Sequence, residues 1–220
     1  LNMHNVYGNQ FVYDGNLAYS LLNSKETSVK LLTSYSTAFI APSLYQLYDG
    51  YSGNIDLNPE TNQTFEAGFD ATFKEKIQFD VVYFNRKEVD AIIYNNTTYS
   101  YGNSSSDASG LELNVRVAAT SFLSINSSYT YIDSNNLEDF NDYIPANKFV
   151  TGIDITPFEN AFLNFTYRNV GERTIFDRYG SFGTAGDDVI LEEYQVLDFM
   201  ANYKVLEDTV TFFIAATNLL

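Results

Sequence analysis

The chain has 220 residues, with 28 Asp and Glu against 12 Lys and Arg, a formal net charge of −16, 18 Tyr, 18 Phe and no cysteine. This aromatic content excludes an intrinsically disordered chain, the missing cysteines exclude a disulfide or cysteine-ligated metal scaffold, and the negative charge opposes nucleic-acid binding because phosphate is repelled. The longest unbroken apolar run, residues 212–216, is far short of the ~18 residues of a helical membrane span.

Taken in chain order, the dominant signal is alternation at period 2. The first segment, 6–22, places Tyr7, Phe11, Tyr13, Leu17, Tyr19 and Leu21 on one face and Asp14, Asn16 and Ser20 on the other. A second strand is predicted over 28–39 and a third over 61–73, where Phe65, Ala67, Phe69, Ala71 and Phe73 oppose Glu66, Gly68, Asp70 and Thr72. Segments 76–94 and 97–119 follow, the latter with Leu111, Leu113, Val115 and Val117 against Glu112, Asn114 and Arg116. The remaining strands are predicted over 122–134, 146–156, 161–172, 190–205 and 209–218, ten in all. No segment shows a helical period. Several exceed the ~5–6 residues usual in soluble sheets.

The connections alternate in length. Those at 23–27, 74–75, 120–121, 157–160 and 206–208 are short, whereas 40–60, 135–145 and 171–189 are long and the hairpin at Asn95 and Asn96 projects on the long side. Short turns at one end and long loops at the other is the layout of an outer-membrane barrel. Both ends of the sequence read as cut, so the chain is expected to be one domain's worth of a longer protein. Alternation alone leaves the direction of the apolar face open. In a soluble sandwich it points to a core; in a membrane barrel it points to lipid, and Glu66, Asp70, Glu112, Arg116 and Arg168 line a wet lumen. Strand length, the aromatic residues Tyr83, Phe84, Tyr129 and Tyr131 near strand ends, and the loop asymmetry favour the membrane reading.

Three pieces of sequence are more specific. Tyr35-Ser-Thr-Ala-Phe39-Ile-Ala-Pro42-Ser43-Leu44 runs into Gly53-Asn54-Ile55-Asp56-Leu57-Asn58-Pro59-Glu60, and then Phe65-Glu66-Ala67-Gly68. With Ser109-Gly110-Leu111-Glu112 and Ala216-Thr217-Asn218-Leu219, these resemble, in order and spacing, the barrel of TonB-dependent outer-membrane receptors. Ile55 departs from the pattern, where the family often has Pro. Loop lengths, together with Phe165-Thr166-Tyr167 leading into Val170-Gly171-Glu172-Arg173, are similar to the vitamin B12 transporter subfamily. The resemblance implies an all-β, antiparallel transmembrane barrel of 22 strands, of which residues 1–220 would be about ten from the C-terminal part. The plug domain, the TonB box and the last strand would then lie outside the chain. It also implies a bacterial outer-membrane location, partnership with the TonB complex, contact with outer-membrane lipid and lipopolysaccharide, and a cargo such as cobalamin or a ferric siderophore.

Candidate ligand contacts are aromatic or cationic residues in the long loops. Tyr48 and Tyr51, with Tyr45, could stack on a large flat ligand; Arg173, with Phe176 and Tyr179, could grip an amide- or phosphate-bearing one. No catalytic residue, resident cofactor or metal site is expected. His4 is the only histidine, and the acidic groups Asp133, Glu138, Asp139 and Asp142, and Asp187, Asp188, Glu192 and Glu193, lack EF-hand spacing. Asn-x-Ser/Thr triplets such as those at Asn62, Asn96, Asn103, Asn126 and Asn164 read as chance in a chain rich in Asn, Ser and Thr. Three functions are therefore weighed: an active transporter, an outer-membrane enzyme or adhesin, and a soluble β-rich scaffold module. The enzyme reading is poorly supplied with catalytic groups; the soluble reading requires that the apolar face be covered by protein.

Overall fold

A computed structural model describes residues 2–95, 98–135, 144–177, 179–206 and 209–220. Its strands are β1 (Asn2–His4), β2 (Gly8–Gln10), β3 (Asp14–Asn23), β4 (Thr27–Ile40), β5 (Glu60–Phe73), β6 (Ile77–Asn95), β7 (Ser100–Ala118), β8 (Leu123–Asn135), β9 (Asn147–Phe158), β10 (Ala161–Val170), β11 (Arg173–Asp177), β12 (Asp187–Leu191), β13 (Tyr194–Val205) and β14 (Val210–Ala216). One short helix, α1 (Leu44–Tyr48), lies between β4 and β5. Ten strands form a single antiparallel sheet in the order β14-β13-β10-β9-β8-β7-β6-β5-β4-β3. Each strand pairs with the one before it in this meander, and β3 and β14 are left as edges, so the sheet does not close on itself.

The register shows how the alternation is used. Phe73, Ile77, Val117, Ile125, Ile153, Phe165, Phe199 and Ala216 are successive cross-strand partners across eight strands. One residue away lies the row Thr72, Gln78, Arg116, Asn126, Gly152, Thr166 and Asp198. Neighbouring residues on a strand point to opposite faces, so one face of the whole sheet is apolar and the other polar. On the apolar face Phe165 stacks on Phe199 at 4.9 Å and Phe69 on Phe79 at 5.4 Å. The hydroxyls of Ser127 and Thr151, opposite each other on this face, satisfy one another at 2.7 Å.

None of the described residues forms a layer over this face. Among the described residues the buried apolar set is Leu57, Ala71, Ala161, Val170 and Ile175, while Phe212 and Ile214 on this face are 63 and 61% exposed. A soluble sandwich would bury this face against a second sheet, and none is present. On β5 the apolar face runs from Phe65 to Phe73, roughly 27 Å along the strand at ~3.4 Å per residue, or about 20 Å of height at the usual barrel tilt. Above it the same face turns polar, at Asn85 and Lys87 on β6 and at Ser109 and Asp107 on β7. The β6–β7 hairpin therefore stands well beyond the apolar band.

Several expectations are corrected. The first predicted strand breaks at 11–13, and a bulge between Ser20 and Leu22 puts Leu22, not Leu21, opposite Val29. The extra residue shifts the parity, so Leu21 leaves the face of Leu17 and Tyr19. The connection after β10 contains the hairpin β11–β12, so the strand predicted from 190 begins at Tyr194. A helix was not expected, yet α1 forms behind a capping box. Ser43 Oγ accepts the Gln46 backbone N–H at 3.2 Å, and Gln46 Oε1 accepts the Ser43 N–H at 2.8 Å. Tyr83 and Phe84, being consecutive, take opposite faces; the Phe84 ring lies over Gly110, its cross-strand partner, where a Cβ would come within 2.5 Å of it.

Candidate functional site

Two of the long connections, between β4 and β5 and between β10 and β13, are ordered by local chemistry, and they form two separate clusters. The first is built from residues 41–59 and the upper β6–β7 hairpin. The Asp49 carboxylate accepts the Ser52 hydroxyl at 2.7 Å and the Ser52 and Tyr51 backbone N–H groups at 2.9 and 3.2 Å. These bonds hold its carboxyl below the ordinary carboxylate range, the Ser52 hydroxyl contributing most. The loop is then fastened to β7. The Tyr101 N–H donates to the Ser52 carbonyl (2.9 Å), Asn54 Nδ2 donates to the Tyr101 carbonyl (3.0 Å), and Asn58 and Asn103 exchange two bonds of 2.7 and 2.9 Å. Asn103 also donates to the Asp90 carbonyl at 2.7 Å, at a bulge where Asp90 has φ of 58°. The Glu60 carboxylate accepts the Ile92 N–H at 2.8 Å.

This arrangement buries small or aliphatic residues, Ser52 and Leu57, and leaves the tyrosines outside. Tyr48 is 69% and Tyr51 97% exposed, and the Tyr45 ring makes an edge-on contact with Tyr101 at 6.2 Å. Tyr94 packs on Tyr101 at 5.3 Å. A loop fixed by polar side chains with its aromatic surface outward is preorganised for contact with another molecule.

The second cluster is the β11–β12 hairpin. Asp177, 4% exposed, accepts the backbone N–H groups of Ser181, Phe182 and Gly183 at 2.8, 2.6 and 2.9 Å. Burial pushes its carboxyl up, but these donors and the Tyr179 N–H outweigh burial and hold it below the ordinary range. Tyr179 stands out from this turn, 80% exposed. The Phe176 backbone pairs with Asp188. Arg173, at the base of the hairpin opposite Leu191, carries its guanidinium 5.5 Å from the Tyr194 ring centroid. Its Nη1 is buried and has no hydrogen-bond partner.

Tyr48 and Tyr51 thus come from the β4–β5 connection, and Arg173, Phe176 and Tyr179 from the connection between β10 and β13, with strands β8 and β9 between the two clusters. The sheet does not bring them into one contact cluster. Sequence reading missed Asp49, Asn54, Asn58, Asn103 and Tyr194. Asp49 and Asn54 sit in turn-forming company that signals local side chain–backbone bonds; nothing local signals Asn103 or Tyr194, whose partners are distant in sequence.

Glu66, Asp70, Glu112, Arg116 and Arg168 all stand on the polar face of the sheet. Glu66 accepts the Ser34 hydroxyl at 2.8 Å. Arg116 borders a concavity of about 470 Å³ that also includes Asp80, Asn114, Asn126, Asp154 and Asn164. Its wall is a hydrogen-bonded ladder: Asn114 donates to Asp80 (2.8 Å), Asn126 and Asn164 donate to the two oxygens of Asp154 (3.1 and 2.7 Å), and Thr166 donates to Asn164 (2.9 Å). Such a surface suits water or a polar partner. Among the described residues no three His, Cys, Asp or Glu side chains converge to hold a metal ion. Glu138, Asp139 and Asp142 lie outside the described residues.

The family model for the β-barrel of TonB-dependent receptor-like proteins matches residues 3–219. The vitamin B12 transporter BtuB of Vibrio cholerae serotype O1 is 29% identical over 205 residues, which are 92% of this chain and 32% of that protein. The chain therefore spans about a third of the length of the curated relatives it matches. Among solved structures, the ferric enterobactin receptor PfeA of Pseudomonas aeruginosa superposes with a TM-score of 0.75 at 17% identity, over 98% of this chain and 36% of that one. The siderophore receptor PirA of Acinetobacter baumannii gives 0.73 at 17% identity, over 94% and 36%. A single-layer meander with opposed polar and apolar faces, matched to the family's barrel from end to end, places this chain in the TonB-dependent receptor family as part of its β-barrel.

Proposed function

We propose that this chain is one arc of an outer-membrane active transporter that takes up a scarce, bulky nutrient, cobalamin-like or an iron–siderophore, with energy relayed by TonB. The observation that carries the reading is the wall itself. Its apolar face is about as tall as a barrel's lipid-facing band of ~25 Å, and its opposite face carries the charged and amide side chains of the central strands. In this reading Glu66, Asp70, Glu112, Arg116 and Arg168 line the lumen, where charge is tolerated because water or a plug meets it. The remaining two-thirds of the relatives' length would supply the other strands and that plug. Tyr48, Tyr51, Arg173, Phe176 and Tyr179 sit at the long-loop end, which would face outward beside lipopolysaccharide, and contact the ligand before it enters. No covalent chemistry is required. Uptake of labelled cyanocobalamin and of a ferric siderophore, measured in cells that express the complete protein but lack other receptors, tests the reading. Accumulation that disappears when TonB is deleted is expected; TonB-independent accumulation, or none of any such nutrient, would refute it.

A further inference from the structure

The loop of residues 41–59 is bound to the β6–β7 hairpin along its length and not only at its ends. Near its start the Tyr45 ring meets Tyr101 edge-on at 6.2 Å, and Tyr101 packs on Tyr94 at 5.3 Å. In its middle the Ser52 carbonyl accepts the Tyr101 N–H at 2.9 Å, and Asn54 Nδ2 donates to the Tyr101 carbonyl at 3.0 Å. Towards its end Asn58 and Asn103 exchange bonds of 2.7 and 2.9 Å, and the Glu60 carboxylate accepts the Ile92 N–H at 2.8 Å. Tyr101 and Asn103 continue the odd-numbered series of β7 that includes Leu111 and Leu113, so their side chains leave the hairpin on the side of the apolar face. The loop meets those side chains and therefore braces the hairpin from that side.

A lid pivots about its ends while its middle lifts. Here the middle is attached, and the residues at the two ends, Ile40 and Glu60, are themselves strand partners. Lifting the loop would also expose Leu57 and Ser52, which are 2 and 7% exposed. Five hydrogen bonds cross the seam. One net bond of ordinary strength shifts an equilibrium by about 2–12-fold. Five at the low end of that range leave the seam open in under about one molecule in thirty. Resting on the transport reading above, we propose that residues 41–59 and the part of the β6–β7 hairpin carrying Ile92, Tyr94, Tyr101 and Asn103 are one rigid unit. It is a fixed wall of the entrance that keeps its shape while cargo enters, and closure over the cargo belongs to other loops.

Hydrogen exchange on the complete protein in lipid vesicles reads the seam directly. The Ile92 and Tyr101 amides lie beyond the last register pairs of the neighbouring strands, Thr61 with Val89 and Asp107 with Asn135. Their acceptors are loop-side groups, Glu60 and the Ser52 carbonyl. Both amides should exchange at least ~30-fold more slowly than in an unstructured peptide, with or without cargo, because the seam opens that rarely. Asn103→Ala, which removes two seam bonds, should reduce this protection and leave that of Leu113, at mid-strand, unchanged. Weaker protection at either amide, or its loss when cargo binds, would overturn the proposal. The functional test is Asn58→Cys/Asn103→Cys. Residues 1–220 have no cysteine of their own, and any elsewhere in the protein is replaced by serine. The pair is bridged by a disulfide or a short bis-thiosulfonate and released with a reductant. Uptake of the nutrient that the unmodified protein accumulates should stay within about 2-fold on bridging, since no lid has to lift. A larger loss that the reductant restores identifies a moving lid and overturns the fixed wall, as does a pair that fails to bridge in the assembled protein. If the double variant does not assemble, exchange on the unmodified protein still decides the matter. If the unmodified protein accumulates no nutrient, the transport reading falls, and the exchange rates separately decide whether the unit is rigid.

Discussion

A single arginine placed on each face of β7 measures which face meets lipid. Leu113 lies on the apolar face between its partners Val81 and Tyr129; Asn114, the next residue, lies on the polar face between Asp80 and Ser128. Leu113 is central in the apolar run Leu111, Leu113, Val115 and Val117 of that strand. An arginine at mid-band on the lipid side of a barrel costs about 2–4 kcal/mol. Since 1.4 kcal/mol is a factor of ten, Leu113→Arg should reduce the folded-to-unfolded ratio by roughly 30–700-fold. Asn114→Arg loses one hydrogen bond, to Asp80 at 2.8 Å, worth about 1 kcal/mol. It regains an ion pair with the same carboxylate worth about 0–1 kcal/mol, so its net cost should be under ~1 kcal/mol. Ser109→Arg, on the same face as Leu113 but above the band opposite Asn85 and Asp133, should cost about 0–1 kcal/mol because the penalty falls toward the interface. The assay is urea titration of the complete protein refolding into lipid vesicles, followed by the shift in electrophoretic mobility of unheated samples. The expected order of cost is Leu113→Arg well above Ser109→Arg and Asn114→Arg. An Asn114→Arg cost equal to or greater than that of Leu113→Arg would refute the face assignment, and with it the membrane reading.

Other consequences can be checked on the same preparation. Gly110→Val should block assembly, because a Cβ there would lie 2.3 Å from the Tyr131 carbonyl oxygen and 2.5 Å from Phe84 Cζ; Gly102→Ala, with nothing within 4 Å of its Cβ position, serves as the tolerated control. Asn103→Ala removes the bonds to Asn58 and to the Asp90 carbonyl, about 1 kcal/mol each at net value. It should raise the rate of proteolytic cleavage within 41–59 by roughly tenfold or more while leaving assembly unchanged. Asp177 has a lowered carboxyl pKa in the folded hairpin. Its contribution is therefore complete above the unfolded value of about 3.9 and is lost as pH falls through the lower folded value. Cleavage within 180–186 by an acid-tolerant protease should stay flat from about pH 8 to 5 and rise only below about pH 4, whereas Asp177→Ala should expose the segment at neutral pH.

The period-2 alternation by itself determined most of the wall. A strand has two faces, and one alternating pattern assigns every residue on it to one of them. That is why Glu66, Asp70, Glu112, Arg116 and Arg168 fall together on the polar face once the register keeps each strand's apolar set on the other. Loop composition and length also marked which end carries the ordered clusters. Helix α1 was legible too, since Ser43 and Gln46 stand at capping-box spacing, but a five-residue helix carries no periodicity to announce it. Other features needed the tertiary structure, because they depend on partners far apart in sequence. The bulge at Ser20 and Leu22 is fixed by pairing with Lys30 and Val29, and one inserted residue reverses every face beyond it. Asn103 matters only because the register of β6 and β7 brings it to Asn58 and Asp90, and Arg173 only because the β10–β13 pairing puts Tyr194 beneath it. Above all, alternation is symmetric between a core-facing and a lipid-facing apolar side. The match of the whole meander to the family's β-barrel, and not the alternation, is what favours the lipid-facing reading, because only packing decides what an apolar surface lies against.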